Sequence, residues 1–285
     1  MKPILTFLLL FSINSAYSQK PDPILARVRY TYTDKKDTLK NGKTRSENML
    51  LFIGKNASLY SSYDKIRHEV SEEQKFRAKM ANKASSGQPT AFIIDDSNSK
   101  WMTTTTYLYF VKENKFFTKE NISLQSYLLE ENAPEIKWKI TKDTLSFSGL
   151  ACQKATTSFE GKSWTAWFAP SVPFQGGPWK LNSLPGLIVE AYDENKNIYF
   201  QFAGIENAKD GDNVREHDVT KRPTAEPGDY NPIDQLIGRD VGNAFFENII
   251  KLPVGSVRIT KQQLDKLKEA FKKDPRGFVR AQSGH

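Results

Sequence analysis

Short segments in which hydrophobic and polar residues alternate recur along most of this chain, and they constrain the fold more than any other feature. Residues 24–33 are an example, with Val28 and Tyr30 on one side of the alternation and Arg27 and Arg29 on the other. A two-residue period is typical of a β-strand with one buried face. The chain is therefore expected to fold mainly as β-sheet.

Similar segments follow one another with turn residues such as Gly149 and Glu160-Gly161 between them. Short strands separated in this way favour antiparallel hairpins. The predicted strands are 24–33, 47–53, 57–60, 101–111, 115–119, 125–129, 136–141, 144–147, 151–159, 163–168, 186–192 and 198–203.

Two segments have helical character. Residues 63–83 are charged with widely spaced apolar positions, and a C-terminal helix is predicted from the Thr260–Gln263 capping pair to its end at Pro275. We expect a mainly β fold in which an antiparallel, strongly curved sheet forms an open barrel or a sandwich. The two helices are expected at its periphery and at the C-terminus.

The first 18 residues have the pattern of a signal peptide. Met1-Lys2 is charged, 3–13 is apolar, and a small-x-small site predicts cleavage between Ser18 and Gln19. No later segment approaches the ~20 apolar residues of a membrane-spanning helix. We expect an exported protein of the periplasm or outer-membrane periphery. The expected division is a signal peptide at 1–18, a β-rich domain at 19–206, and an irregular arm with the C-terminal helix at 207–285.

The chain has 41 Lys and Arg against 33 Asp and Glu, a net charge of +8. A basic balance attracts anionic partners when the charges form a patch. Here the basic residues are mostly interleaved with acidic ones, which is typical of a solvated surface. A nucleic-acid partner is not expected.

Cys152 is the only cysteine, and His68, His217 and His285 are the only histidines. A Cys152–His217 pair is conceivable for nucleophilic catalysis, but no local nucleophile signature supports it, and a buried strand cysteine is the favoured interpretation. Potential metal ligands at 215–218 are adjacent and point apart along an extended chain. No catalytic residue, metal or cofactor is predicted.

The central part of the chain resembles a known family. It reads Gly-Leu-Ala-Cys-Gln-Lys-Ala-Thr at 149–156, Gly-Lys-Ser-Trp-Thr-Ala-Trp-Phe at 161–168, Gly-Pro-Trp-Lys at 177–180 and Ser-Leu-Pro-Gly-Leu-Ile at 183–188. From Gly149 to Phe202 it resembles the GLPGLI family of exported bacterial proteins, with Ser183 in place of the first glycine. The motif positions are Cys152, Gly177, Pro178, Leu184, Pro185, Gly186, Leu187 and Ile188. The resemblance implies a signal peptide and a gene beside an outer-membrane TonB-dependent transporter, and it carries over no catalytic residues.

Prolines and glycines concentrate in residues 170–186, which we call the crossing loop. Proline restricts φ and glycine allows positive φ, so this loop is expected to be ordered. It is interpreted either as a corner that defines the fold, which we favour, or as a lip where a partner or ligand docks. The candidate binding residues of the lip are Trp167, Phe174 and Trp179.

These observations lead us to expect a non-enzymatic binding or accessory protein that assists a TonB-dependent transporter. Two alternatives stay open at this point. One is a hydrolase of peptide or glycan with dispersed catalytic residues, and the other is a carrier of an apolar ligand.

Overall fold

The computed structural model describes residues 20–38, 42–69, 71, 75, 102–123, 125–207 and 249–283. The predicted signal peptide and its cleavage site, most of the predicted helix beyond residue 69, and the arm at 208–248 lie outside the described residues. The same holds for His217, His285 and the potential metal ligands at 215–218.

Thirteen strands in the described residues form one sheet, nearly all of it antiparallel. The strands are β1 (Asp22–Thr38), β2 (Thr44–Gly54), β3 (Ala57–Ser62), β4 (Thr106–Phe110), β5 (Lys115–Ile122), β6 (Gln125–Asn132), β7 (Lys139–Phe147), β8 (Leu150–Phe159), β9 (Lys162–Ala169), β10 (Leu187–Asp193), β11 (Ile198–Asn207), β12 (Ile249–Ile250) and β13 (Val257–Ile259). Their order is β13-β6-β5-β4-β3-β2-β1-β11-β10-β9-β8-β7, and β12 pairs with β1.

Tight turns connect neighbouring strands where the sequence predicts them. Glu160 and Gly161 between β8 and β9 have φ of 48° and 71°. Positive φ at both central residues is the type I′ geometry, whose twist matches that of the flanking strands. The long pairing of β1 with β11 then joins the β2–β6 meander to the β7–β10 meander.

The connection between β6 and β7 shows that the sheet is strongly curved. The two strands lie ten steps apart in the sheet order, which is about 48 Å in a flat sheet at ~4.8 Å per step. Residues 133–138 alone join them, and a segment of that length reaches at most about 25 Å. The two ends of the sheet therefore approach each other.

A lysine side chain connects the two ends of the sheet. Lys180 Nζ lies 3.6 Å from Glu131 of β6 and 3.7 Å from Glu160 in the β8–β9 turn. The described strands β13 and β7 end the order without pairing with each other. The mainly β fold with an open, curved, antiparallel sheet and few helices is thus confirmed.

The inner core fills the concave side of the sheet. It brings Tyr30, Met49 and Leu51 from one half together with Phe168 and Ile188 from the other. Tyr30 Oη donates to the carbonyl of Ile188 at 2.7 Å, so a buried hydrogen bond also links the two halves.

A second core covers the outer face of β2–β6. Leu50 and Phe52 of β2 pack there, whereas Met49 and Leu51 belong to the inner core. Since both faces of β2 are buried, its sequence is a continuous apolar run rather than an alternation.

Three helical segments accompany the sheet in the part of the chain that the structure describes. α1 (residues 63–69) places Ile66 in the outer core. α2 (Lys261–Lys273) begins with the predicted Thr260–Gln263 capping box, which is confirmed. α3 (Pro275–Ser283) follows at once, because proline is well suited to the first turn of a helix. No helix within the described ranges is both long and apolar enough to span a bilayer.

Candidate functional site

Two glycines of the crossing loop lie at positions with no room for a side chain. A Cβ atom at Gly177 would lie 2.7 Å from the carbonyl oxygen of Leu181, and one at Gly186 would lie 2.3 Å from that of Ala169. Gly186 also has a φ of 148°. Only glycine permits such close approach and such a conformation without strain.

Most of the motif residues are packing residues. Leu184, Leu187 and Ile188 are buried in the inner core, together with Cys152 of β8. Gly177 and Pro178 are buried beside them, while Pro185 is exposed. The Ile188 amide donates to the carbonyl of Gly176 at 2.9 Å, which fixes the loop to the start of β10.

Ser183 has a φ of 70°, in the left-handed region that glycine adopts without a steric penalty. A serine in this conformation is accommodated with local strain.

Trp179 is the loop residue that faces a cavity. Its backbone has a φ of 56°, unusual for a bulky side chain. The indole ring centre lies 5.7 Å from that of Trp164 and 5.6 Å from that of Phe159. Trp179 and Tyr107 line the same cavity.

The cavity has a volume of about 240 Å³ and the form of a bowl on the concave face of the sheet. Its floor is buried and its rim is partly exposed. The floor consists of Met49, Tyr60, Trp164 and Phe200, and the rim consists of Tyr32, Arg45, Thr103, Tyr107, Trp179 and Ile198.

Of the three candidate binding residues, only Trp179 lines this bowl. Trp167 packs on Phe147 with ring centres 6.1 Å apart, and Phe174 packs, partly buried, against the inner core. Sequence reasoning did not single out the cavity residues Tyr32, Tyr60, Tyr107 and Phe200. In the sequence each looks like an ordinary strand aromatic.

A network of charged hydrogen bonds fixes the rim. Arg45 donates from Nη1 to Asp37 at 2.7 Å and from Nη2 to Glu47 at 2.9 Å. Thr103 donates to Glu47 from its backbone N–H and from its hydroxyl, each at 2.7 Å. Since the Glu47 side chain is fully buried, these bonds offset the loss of its hydration.

The tyrosines of the cavity are neutral phenols at ordinary pH. Burial raises the pKa values of Tyr32 and Tyr60 well above their usual range, with a smaller contribution from Asp34 for Tyr32 and from the neighbouring tyrosines for Tyr60. Burial and the charge of Glu120 raise the pKa of Tyr107 to about 12. The charged group among the residues that line the cavity is therefore the guanidinium of Arg45, and the aromatic rings beside it are uncharged.

The thiol of Cys152 lies outside this wall, in β8. Burial raises its pKa to about 11, and the charge of Glu190 adds to the shift. A thiol with such a pKa is almost fully protonated at neutral pH and is a poor nucleophile. The described part of the chain also contains no cluster of three potential metal ligands.

Comparisons with known proteins bear on the fold. No protein-family model and no curated protein matches the chain. Crystal structures of PNGF-II in two space groups are similar, each with a TM-score of 0.50 and 12% sequence identity over 86% of this chain. This chain spans about a third of their length, 32% and 33% respectively. A likeness at this level of identity shows the fold alone.

Proposed function

We propose that this chain is a non-enzymatic binding protein that holds a small ligand in the bowl between the curved sheet and the crossing loop. The observation that carries the proposal is the cavity wall, in which six aromatic side chains surround a space of about 240 Å³. Binding sites for small molecules are typically concave, mostly apolar and equipped with a few fixed polar groups.

The polar groups of the cavity are already fixed in position by contacts within the protein. The Glu47 network fixes Arg45 and Thr103 at the rim, and ring contacts with Trp164 and Phe159 fix Trp179. A site whose side chains are already ordered loses little conformational entropy when a ligand binds. Because its volume is below the ~300–1,000 Å³ of sites for drug-sized molecules, the bowl accepts a small ligand or one end of a larger one.

A screen for ligands by thermal unfolding tests this function. The full chain and its Trp179→Leu variant are heated with sets of small amines, carboxylic acids, sugars and alcohols. A ligand at about 100 times its Kd stabilises a protein by about 2.7 kcal/mol, and we expect at least one class to raise the Tm of the wild type only.

The matched control is Trp167→Leu, which removes a partly buried tryptophan that does not line the bowl. This variant is expected to respond to ligands like the wild type. The proposal fails when no class stabilises the wild type, or when Trp179→Leu responds as strongly as the control.

The cellular setting is a second part of the proposal. The signal-peptide pattern supports export to the periplasm or outer-membrane periphery, and the family resemblance supports an accessory role beside a TonB-dependent transporter. Within that setting the bowl would hold a ligand for the transporter or sense it. Purification from native membranes tests this part: recovery with a transporter is the expected result, and recovery only as a free monomer contradicts it.

A further inference from the structure

We propose that the ligand of the bowl is a small organic cation with a methylated ammonium group. This inference rests on the proposed function and adds the chemical class of the ligand. It follows from how the rings are arranged and from the charges that surround them.

Five aromatic side chains line the cavity in a continuous series, which we call the aromatic cage: Tyr60, Tyr107, Trp164, Trp179 and Phe200. Successive ring centres lie 6.5 Å apart for Tyr107–Tyr60, 6.3 Å for Tyr60–Phe200, 6.2 Å for Phe200–Trp164 and 5.7 Å for Trp164–Trp179. Tyr107 and Trp179, the two ends of the series, line the same cavity. Tyr32 stacks on Phe200 at 5.2 Å and extends the cage to the rim.

The faces of aromatic rings carry negative electrostatic potential, so several rings around one space attract a cation. The effect is largest where the cation has lost its water, as it does in a bowl with a buried floor. The tyrosines contribute as neutral rings, because burial keeps their phenols protonated.

The charges around the cage favour the same sign of ligand. Arg45 is shared by two carboxylates, Asp37 at 2.7 Å and Glu47 at 2.9 Å. Each such group of two carboxylates and one base has a net charge of −1. The guanidinium at the rim is therefore more than neutralised and does not exclude a cation.

A second group with the same balance lies beside Trp179. Lys180, next to Trp179 in the chain, is shared by Glu131 at 3.6 Å and Glu160 at 3.7 Å. Two acidic groups beside an aromatic space raise the local concentration of cations.

The lining also distinguishes methylated from primary ammonium. A primary ammonium ion has three N–H donors, each of which must be paired when it is buried. The ten residues that line the bowl include no carboxylate. A quaternary ammonium group, such as that of choline, presents methyl groups to the rings and has no N–H donor that needs a partner.

The experiment compares three probes by tryptophan fluorescence and calorimetry with the full chain: choline, its uncharged carbon isostere 3,3-dimethylbutan-1-ol, and ethanolamine. Choline is expected to bind at least about tenfold more tightly than the isostere, because a desolvated cation–π contact contributes on that scale. Ethanolamine is expected to be the weaker of the two cations.

Substitutions of cage residues test whether the cage is the binding site. Trp179→Leu and Tyr107→Leu are each expected to weaken choline binding about tenfold, Tyr107→Phe to retain most of it, and Trp167→Leu to leave it unchanged. The comparison of the three probes uses the wild-type protein, so its result holds even if a cage variant folds poorly.

The outcomes separate this inference from the proposed function. If the isostere binds as tightly as choline, the bowl is a carrier site for apolar ligands and the cationic class is wrong. If ethanolamine binds as tightly as choline, the preference for methylation is wrong. If no probe binds while another class in the ligand screen does, this inference fails and the binding function stands. If nothing binds in either experiment, both fail.

Discussion

At Gly186 the backbone passes so close to Ala169 that there is no room for a side chain. The space that a Cβ atom would occupy is 2.3 Å from a backbone carbonyl oxygen, which cannot move without disturbing the β9–β10 pairing. Gly149, in the β7–β8 turn, has a φ of 85° but no atom within 4 Å of the corresponding position. A comparison of substitutions at Gly186 and Gly149 therefore separates the effect of steric clash from the effect of backbone conformation.

We predict that Gly186→Ala lowers the free energy of unfolding by about 3 kcal/mol or more, since strain and overpacking act together. Gly149→Ala is the matched control and is expected to lower it by about 1 kcal/mol through conformation alone. Urea unfolding of both variants measures the difference. Equal losses would show that the close approach at Gly186 does not matter for stability.

Among the elements, α2 shows how local and tertiary interactions combine. Its apolar side packs Leu264 against Ile122, Tyr127 and Leu129 of the sheet. Lys268 forms an ion pair with Glu120 on the same side. The N-terminus is fixed independently by the capping box, in which Thr260 Oγ1 accepts from the Gln263 backbone N–H at 3.3 Å.

We predict that Thr260→Ala destabilises α2 by about 1 kcal/mol, because the first turn loses an acceptor for its backbone N–H. Thr260→Ser, which keeps the hydroxyl, is expected to be nearly neutral. Hydrogen exchange at the Gln263 amide gives the measurement, with roughly fivefold faster exchange expected for alanine. The same exchange rate in all three proteins would contradict a capping role.

At the scale of the whole molecule, two segments hold the ends of the open sheet near each other. Residues 133–138 run from β6 to β7, and the crossing loop runs from β9 to β10. The two are joined where Trp138 Nε1 donates to the carbonyl oxygen of Asn182 at 2.7 Å. This bond connects the crossing loop directly to the segment between β6 and β7.

Trp138→Phe removes this bond and keeps most of the ring. We predict a loss of about 1 kcal/mol in the free energy of unfolding, because the carbonyl of Asn182 is left unpaired. Trp167→Phe is the control, expected within about 0.5 kcal/mol of the wild type because no hydrogen bond of its indole is broken. A chemical-denaturation midpoint that is the same for both variants would refute the linking role of Trp138.

The local features of the fold were predictable from the sequence. Strand periodicity, the Glu160-Gly161 turn and the Thr260 capping box each depend on residues within a few positions of one another, and the structure contains all three. The helix after Pro275 was not predicted, because the proline was interpreted only as the end of α2. In the structure it both ends one helix and begins the next.

The candidate site was predictable only in part. The crossing loop and Trp179 stood out because proline, glycine and tryptophan concentrate there. Tyr60 and Phe200 are ordinary strand aromatics in the sequence, and their rings meet at 6.3 Å only because the sheet curves.

The sequence by itself determined most of the longer strands and their tight turns, since these depend on short-range geometry. It did not predict the short strands β12 and β13, and the segments 136–141 and 144–147, predicted as two strands, fall in the single strand β7. Tertiary structure decided which aromatic faces share one space and which carboxylates share one base. Those are the properties that form the bowl. The aromatic wall depends on the curvature of the whole sheet, which brings Tyr60 together with Trp164 and Phe200, more than a hundred positions away in the sequence.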